Sequence, residues 1–202
     1  MPASQVERAI EFYEEAHRFK DAADIASKAE MAEKAIENYV KAGEFYSAVR
    51  SAIKAGMFEK AIGMCDEAGD FESAADIAVK VGMTEKANQL YLRVIENYEN
   101  AHRFEDAADA ALKVGMIEKA IENYEKAGLF VEASNLALKS GMKERAVEVY
   151  ENAGHFEIAV VIAFKTGMTE KTKQLNTLVD VIDAGYGMIN PYLRDSNLRI
   201  AA

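Results

Sequence analysis

Large apolar residues return along this chain at one long interval, which is visible before any helix is drawn. Phenylalanine stands at Phe19, Phe45, Phe71, Phe104, Phe130 and Phe156, at spacings of 26, 26, 33, 26 and 26, and a methionine follows each by twelve residues, from Met31 to Met168. Six copies of one unit are written into the sequence, the signature of an array in which each unit buries its face only against its neighbours. A longer period overlies the short one. Residues 6–90 shifted by 85 fall on 91–175 with about half the positions identical, so that His17-Arg18-Phe19 matches His102-Arg103-Phe104. A block of three units has been duplicated in tandem, with no linker between the halves.

Inside a unit the pattern predicts two short antiparallel helices. From Phe104, Ala107, Ala108, Ala111 and Leu112 recur at helical spacing and the run ends at Lys113-Val114-Gly115-Met116. Glycine past the last turn accepts the left-handed conformation, methionine folds back on that turn, and lysine faces the negative end of this helix A. Five units end in Lys-x-Gly-Met, whereas the first reads Lys28-Ala29-Glu30-Met31 and is expected to have a looser turn. Helix B opens with a glutamate (Glu33, Glu59, Glu85, Glu118, Glu144, Glu170), and in the fourth unit carries Ala120, Ile121, Tyr124 and Ala127 as its inner stripe before Gly128. Helices of about ten residues span about 15 Å and do not persist alone, so stacking must hold them. Counted from its phenylalanine, helix A is apolar or small at offsets three, four, six, seven and eight, an arc wide enough to be flanked on both sides. Helix B, with a narrower stripe and more charge, reads as the outer layer.

The resulting expectation is an all-α, two-layer α-solenoid forming one domain over 1–188. It comprises a first helix over 4–16, six helix pairs starting near 19, 45, 71, 104, 130 and 156, and a disordered tail over 189–202. The helix starting near Thr84 carries seven extra residues as far as Ala101, where a kink or widening is expected. The last helix runs from Thr169 to about Ala184 before the segment from Gly185 to Tyr192 breaks it. Its rotated stripe of Leu175, Leu178, Val179 and Ile182 suits a terminal cap or self-association into a homo-oligomer.

Composition narrows the classes. With 50% apolar and 29% charged residues and only Pro2 and Pro191, neither a sheet-rich fold nor a disordered body fits. A formal charge of −10 repels nucleic acid and anionic lipid on average, so no nucleic-acid partner is expected. Cys65 is the single cysteine, which excludes an intramolecular disulfide and a thiolate zinc cage, and the three histidines lack metal-ligand spacing. The glycine pair of Gly185-Tyr186-Gly187 has no strand-turn-helix setting for a phosphate. No metal, no cofactor and no enzymatic activity are expected, since no nucleophile, base and oxyanion donor can be grouped. Apolar runs are too short to cross a bilayer, and no basic patch precedes an apolar stretch at the N-terminus, so a cytoplasmic location is expected.

Phe104-x2-Ala107-Ala108-x2-Ala111, the turn at Gly115 and Ala120-x3-Tyr124 follow the spacing of W-x2-L-G-x2-Y and A-x3-F. The chain therefore resembles the tetratricopeptide repeats over about residues 19–168, in a shortened 26-residue form, and loosely the repeats of clathrin, coatomer and soluble NSF attachment proteins. The resemblance implies a right-handed superhelix and a non-enzymatic scaffold or adaptor whose inner helix-A face binds a partner protein or peptide.

The candidate residues for that face come from the repeat. A lysine stands nine residues after every phenylalanine: Lys28, Lys54, Lys80, Lys113, Lys139 and Lys165. Such a ladder suits acidic side chains, although a lysine in each last turn also complements the helix dipole. Asp24, Asp76 and Asp109 lie four residues ahead of their lysines as helix-surface pairs, while Asn135 and Val161 leave Lys139 and Lys165 unpaired. Beside the ladder runs Ser27, Ile53, Val79, Leu112, Leu138 and Phe164, either the floor of a groove for an amphipathic helix or packing between successive A helices. A coat-like assembly through the terminal helices is the alternative function.

Overall fold

The computed structural model describes residues 3–189, and among these it is helical throughout, with short turns between helices and no strand. The helices are α1 (Ala3–Glu15), α2 (Phe19–Lys28), α3 (Ala32–Lys41), α4 (Phe45–Lys54), α5 (Phe58–Glu67), α6 (Phe71–Lys80), α7 (Thr84–Asn100), α8 (Phe104–Lys113), α9 (Ile117–Lys126), α10 (Phe130–Lys139), α11 (Lys143–Asn152), α12 (Phe156–Lys165) and α13 (Thr169–Ile189). Every A helix starts on the repeating phenylalanine and ends on the repeating lysine. The architecture is an all-α helical-repeat solenoid. Two compact units divide it, one up to Asn97 and the other from Tyr98. In the first, each of α1 to α5 packs on the helix that follows it, and in the second each of α8 to α12 does the same.

Alanine sets the closeness of this packing. Ala22, Ala23 and Ala26 of α2, Ala107, Ala108 and Ala111 of α8, and Ala133 and Ala137 of α10 are all buried, at offsets three, four and seven. Small side chains there let the helix axes approach, and larger residues of helix B such as Ile36 and Ile121 fill the space between, each contributing about 1.5–3 kcal/mol by burial. The buried arc of helix A is narrower than its composition suggests, because offset eight is exposed at Ile53, Val79 and Phe164. Ala127 also leaves the inner stripe of α9: it is the exposed C-cap, and Asn123 is buried in the helix instead.

Turns close as the sequence predicts. Gly56, at φ +73°, donates its N–H to the Ile53 carbonyl at 3.0 Å, and the Met57 N–H reaches the Ala52 carbonyl at 2.9 Å. The expected loosening at Glu30 does not occur: the Met31 N–H bonds the Ala26 carbonyl at 2.9 Å, the same length as the Met57 bond. The departure takes the form of strain, with Glu30 at φ +60° and His17 and His102, which replace glycine after the long B helices, both at φ +55°. Replacing all three by glycine is expected to raise stability by about 1.5 kcal/mol, the gain at each position being partly offset by the freer unfolded chain. Thermal unfolding followed by circular dichroism reads this as a rise of about 3–6 °C in Tm; an unchanged or lower Tm rules out strain at these turns.

The last helix corrects a second expectation. α13 passes through Gly185-Tyr186-Gly187 and ends at Ile189, so no break occurs at Gly185. A glycine inside a helix costs only about 1 kcal/mol, and the first strong breaker is Pro191. The expected disorder beyond Ile189 lies outside the described residues.

Candidate functional site

The ladder lysines occupy the last turns of the A helices, Lys28, Lys54 and Lys80 in the first unit and Lys113, Lys139 and Lys165 in the second, and all are exposed. Their expected aspartate partners are engaged elsewhere. The Tyr39 hydroxyl donates to Asp24 at 2.6 Å, Tyr91 to Asp76, and Tyr124 to Asp109 at 2.8 Å, each linking helix A to the helix B that follows it. Burial and then the bond to its aspartate push the Tyr39 hydroxyl up to about 12, and the same two causes put Tyr124 at about 12. Among the described residues, Lys139 and Lys165 have no carboxylate within ion-pair distance.

Beside the ladder, Ile53 is 38% exposed, Val79 45% and Phe164 74%, while Ser27, Leu112 and Leu138 are half-buried. The row is therefore a mixture, with two exposed members in the first unit and one in the second. Helix α12 stands apart from the other A helices: between Phe156 and Lys165 only Glu157 interrupts an apolar sequence, and Ile158 as well as Phe164 faces solvent. Asn135 is exposed on α10, one helix pair earlier.

The stripe assigned to self-association divides. Leu175, 2% exposed, packs with Val147, Tyr150, Ala159 and Ala163 in the core of the last helix pair and is withdrawn from any surface. It occupies the inner position that Leu90 fills in α7, so the rotated apolar pattern still aims this residue inward. Leu178 is exposed, Val179 and Ile182 are half-buried, and Val181, which the sequence reading passed over, is exposed.

A row of bonds between successive B helices was also missed. Asp66 of α5 pairs with Arg93 of α7; Glu99 accepts from Lys126 at 3.0 Å and lies 3.5 Å from Lys119; Glu151 of α11 pairs with Lys171 of α13 at 2.9 Å. Its densest point is Arg145 of α11, which holds Glu118 at 2.6 Å and grips both carboxylate oxygens of Glu125. Burial works against the charge of this guanidinium, yet the bonds to Glu125 and Glu118 outweigh it and raise its pKa. A sequence signal existed: the residue fifteen after every phenylalanine is basic, from Lys34 to Lys171. Two buried asparagines join the row, Asn38 donating to Glu14 at 2.5 Å and Asn123 to the Lys119 carbonyl at 2.9 Å. Burial alone would raise the Glu99 carboxyl, but hydrogen bonds from Lys126 and Asn123 leave it below its ordinary value.

Little here suits bond-making chemistry. A cleft of about 490 Å³ in the first unit is lined by Ser27, Glu30, Ala32, Ala35, Ser51, Lys54 and Ala55, a size fit for a small molecule but with no base and nucleophile converging on it. Among the described residues no group of three histidine, cysteine or acidic side chains is placed to hold a metal ion, and no helix is long and apolar enough to cross a membrane. Cys65 is buried, and burial followed by the charge of Asp70 pushes its thiol up, away from the reactive thiolate. His17 and His102 rest edge-on against Phe19 and Phe104 at 5.7 Å.

Comparison with known proteins gives a family. The crystal structure of BtubC (BKLC) from P. vanneervenii aligns over 98% of this chain and 94% of its own, at 17% identity and a TM-score of 0.26. The de novo designed helical repeat protein DHR64 aligns over 90% and 84%, at 24% identity and a TM-score of 0.14. Overlays this poor add nothing to the description of the fold. No curated protein matches the chain. The family model of the IFT172-type TPR domain, however, matches residues 25–185, from the middle of α2 into α13. Matched across most of its length, with helix pairs repeating in tandem from α2 onward, the chain belongs to the IFT172-type TPR domain family.

Proposed function

We propose that this protein is a cytoplasmic, non-enzymatic scaffold or adaptor that binds a partner protein or peptide on the exposed face of its A helices. TPR domains generally mediate protein–protein interaction, and the finer assignment of face and role is inferred from this chain's own surface. The observation that carries it is the offset-eight row: at Ile53, Val79 and Phe164 it is exposed beside a lysine in every last turn, although simple packing between A helices would have covered it.

Self-assembly through α13 is the second reading, favoured by the exposure of Leu178 and Val181. One experiment separates the two. The wild-type chain and a Lys139→Glu, Lys165→Glu version are immobilised, exposed to lysate, and the retained proteins identified by mass spectrometry. A distinct protein held by the first and lost by the second is the expected result. Retention of further copies of this chain alone, equally by both, overturns the adaptor reading and favours assembly.

A further inference from the structure

We infer that the α10–α12 end of the helix-A face receives an amphipathic helix of a partner protein, one bearing two carboxylates seven residues apart with large apolar side chains between them. The inference rests on the reading that the helix-A face binds protein, and it names the subsite and the chemistry of what enters it.

Charge distinguishes this end from the rest of the face. On α2, α6 and α8 the position five after the phenylalanine is Asp24, Asp76 or Asp109, a carboxylate that repels an acidic ligand. On α10 and α12 the same position holds Asn135 and Val161, so the acids are gone while the lysines remain. Lys139 and Lys165 lack an ion-pair partner among the described residues, in a chain whose formal charge is −10. Two unanswered cations on an acidic protein select a ligand with carboxylates.

Apolar surface supplies the second half of the argument. Helix α12 is apolar nearly all round, a composition expected of a helix covered on every side, yet Phe164 is 74% exposed and Ile158 also faces solvent. Leu138 of α10 lies half-buried beside Lys139 in the equivalent place. An exposed aromatic flanked by cations matches an apolar anchor flanked by acids. Helical surfaces offer a ligand no sheet edge, so it must satisfy its own backbone, and a helix does so.

Geometry fixes the spacing. Ile162 of α12 packs into the cluster that contains Ala133 and Ala137 of α10, so these A helices share one core. Helices packed in this way lie about 8–10 Å apart. A ligand helix crossing them rises about 10.5 Å in seven residues and returns to nearly the same face, which brings carboxylates at i and i+7 to Lys139 and Lys165. Apolar side chains at i+3 and i+4 then fall between, over Leu138 and Phe164.

The test titrates the full chain into a fluorescein-labelled helical peptide with Glu at i and i+7 and Leu and Phe at i+3 and i+4, beside a twin with Gln for both glutamates. The Glu peptide should bind about tenfold more tightly than its twin at low salt. Lys139→Glu with Lys165→Glu should abolish that preference. Phe164→Ser, at an exposed position that leaves the core intact, should weaken both peptides about tenfold. Equal binding of the two peptides, a preference that survives the double lysine change, or failure of either peptide to bind at millimolar concentration overturns the inference. Lys54→Glu with Val79→Ser in the first unit separates the two levels. If that pair abolishes binding and the α10–α12 changes do not, the subsite is wrong and the helix-A face stands. If a bound peptide responds to none of these substitutions, both readings fall.

Discussion

Arg145→Ala is expected to destabilise the second unit by about 3 kcal/mol, the largest effect of any substitution outside the apolar core. The side chain is 16% exposed and its principal partner, Glu125, is 17% exposed, so the pair lies largely out of water. Truncation removes two bonds to Glu125 and one to Glu118 and strands a carboxylate that water reaches poorly; stranding of this kind costs about 3–5 kcal/mol when burial is complete. The residual exposure here places the expected value at the lower end. Lysine, present at the equivalent position of the other five repeats, reaches one carboxylate in the pairs Lys119–Glu99 and Lys171–Glu151, so Arg145→Lys should lose about half as much. Urea unfolding measures both. A double-mutant cycle with Glu125→Gln isolates the pair, with an expected coupling of about 1.5–2 kcal/mol. A loss under 0.5 kcal/mol for Arg145→Ala would mean that the outer row is solvated decoration, as exposed ion pairs usually are.

The contrast between this row and the lysine ladder shows what a sequence period reveals. Both are basic at every repeat, at offsets fifteen and nine, and nothing in the period says which one is paired. Helix limits were legible because phenylalanine, lysine and glycine act locally: each A helix runs from the first to the second, as at α10 from Phe130 to Lys139. Partners were not, because they come from another helix. Asp109 was assigned to Lys113, four residues along the same helix, yet the Tyr124 hydroxyl reaches it from fifteen residues away. Buried Asn38 and Asn123 were passed over for a related reason: a polar residue one place before the inner tyrosine looks solvated until its helix packs on the next. Leu175 was placed on the surface because the stripe of α13 rotates, and only the position of α12 shows it facing the core.

The α10–α12 end of the candidate face was legible in part for the same physical reason. Losing an aspartate at Asn135 and Val161 is a statement about one residue type at one offset, and it survives folding unchanged. Exposure of Phe164 is not, since an apolar residue at a helical offset is ordinarily covered, and only the packed neighbours decide which side of the arc it takes.

Alkaline pH should loosen both units through their tyrosines. Tyr39 and Tyr124 have folded values of about 12 against about 10 in an unfolded chain, because burial and the bond to Asp24 or Asp109 disfavour the phenolate. Arg50 pulls Tyr39 the other way without reversing the shift. A raised folded value means that the native state holds its proton longer, so the contribution is complete below pH 10 and is lost as pH rises through about 12. Two pKa units correspond to at most about 2.7 kcal/mol at Tyr39, which is 8% exposed, and the half-buried Tyr124 should give about half as much. Lysines titrate in the same range, so the informative quantity is the difference between wild type and Tyr39→Phe. At pH 8 the variant should be less stable by about 1 kcal/mol, the lost hydrogen bond. By pH 11.5 that deficit should vanish and reverse, because phenylalanine has no proton to lose while buried Tyr39 must be held neutral against solvent. Denaturant titrations at both pH values decide it, and a difference that stays constant would show that the hydroxyl is not protected from ionising by Asp24. Tyr124→Phe repeats the test in the second unit, where a smaller reversal follows from its greater exposure.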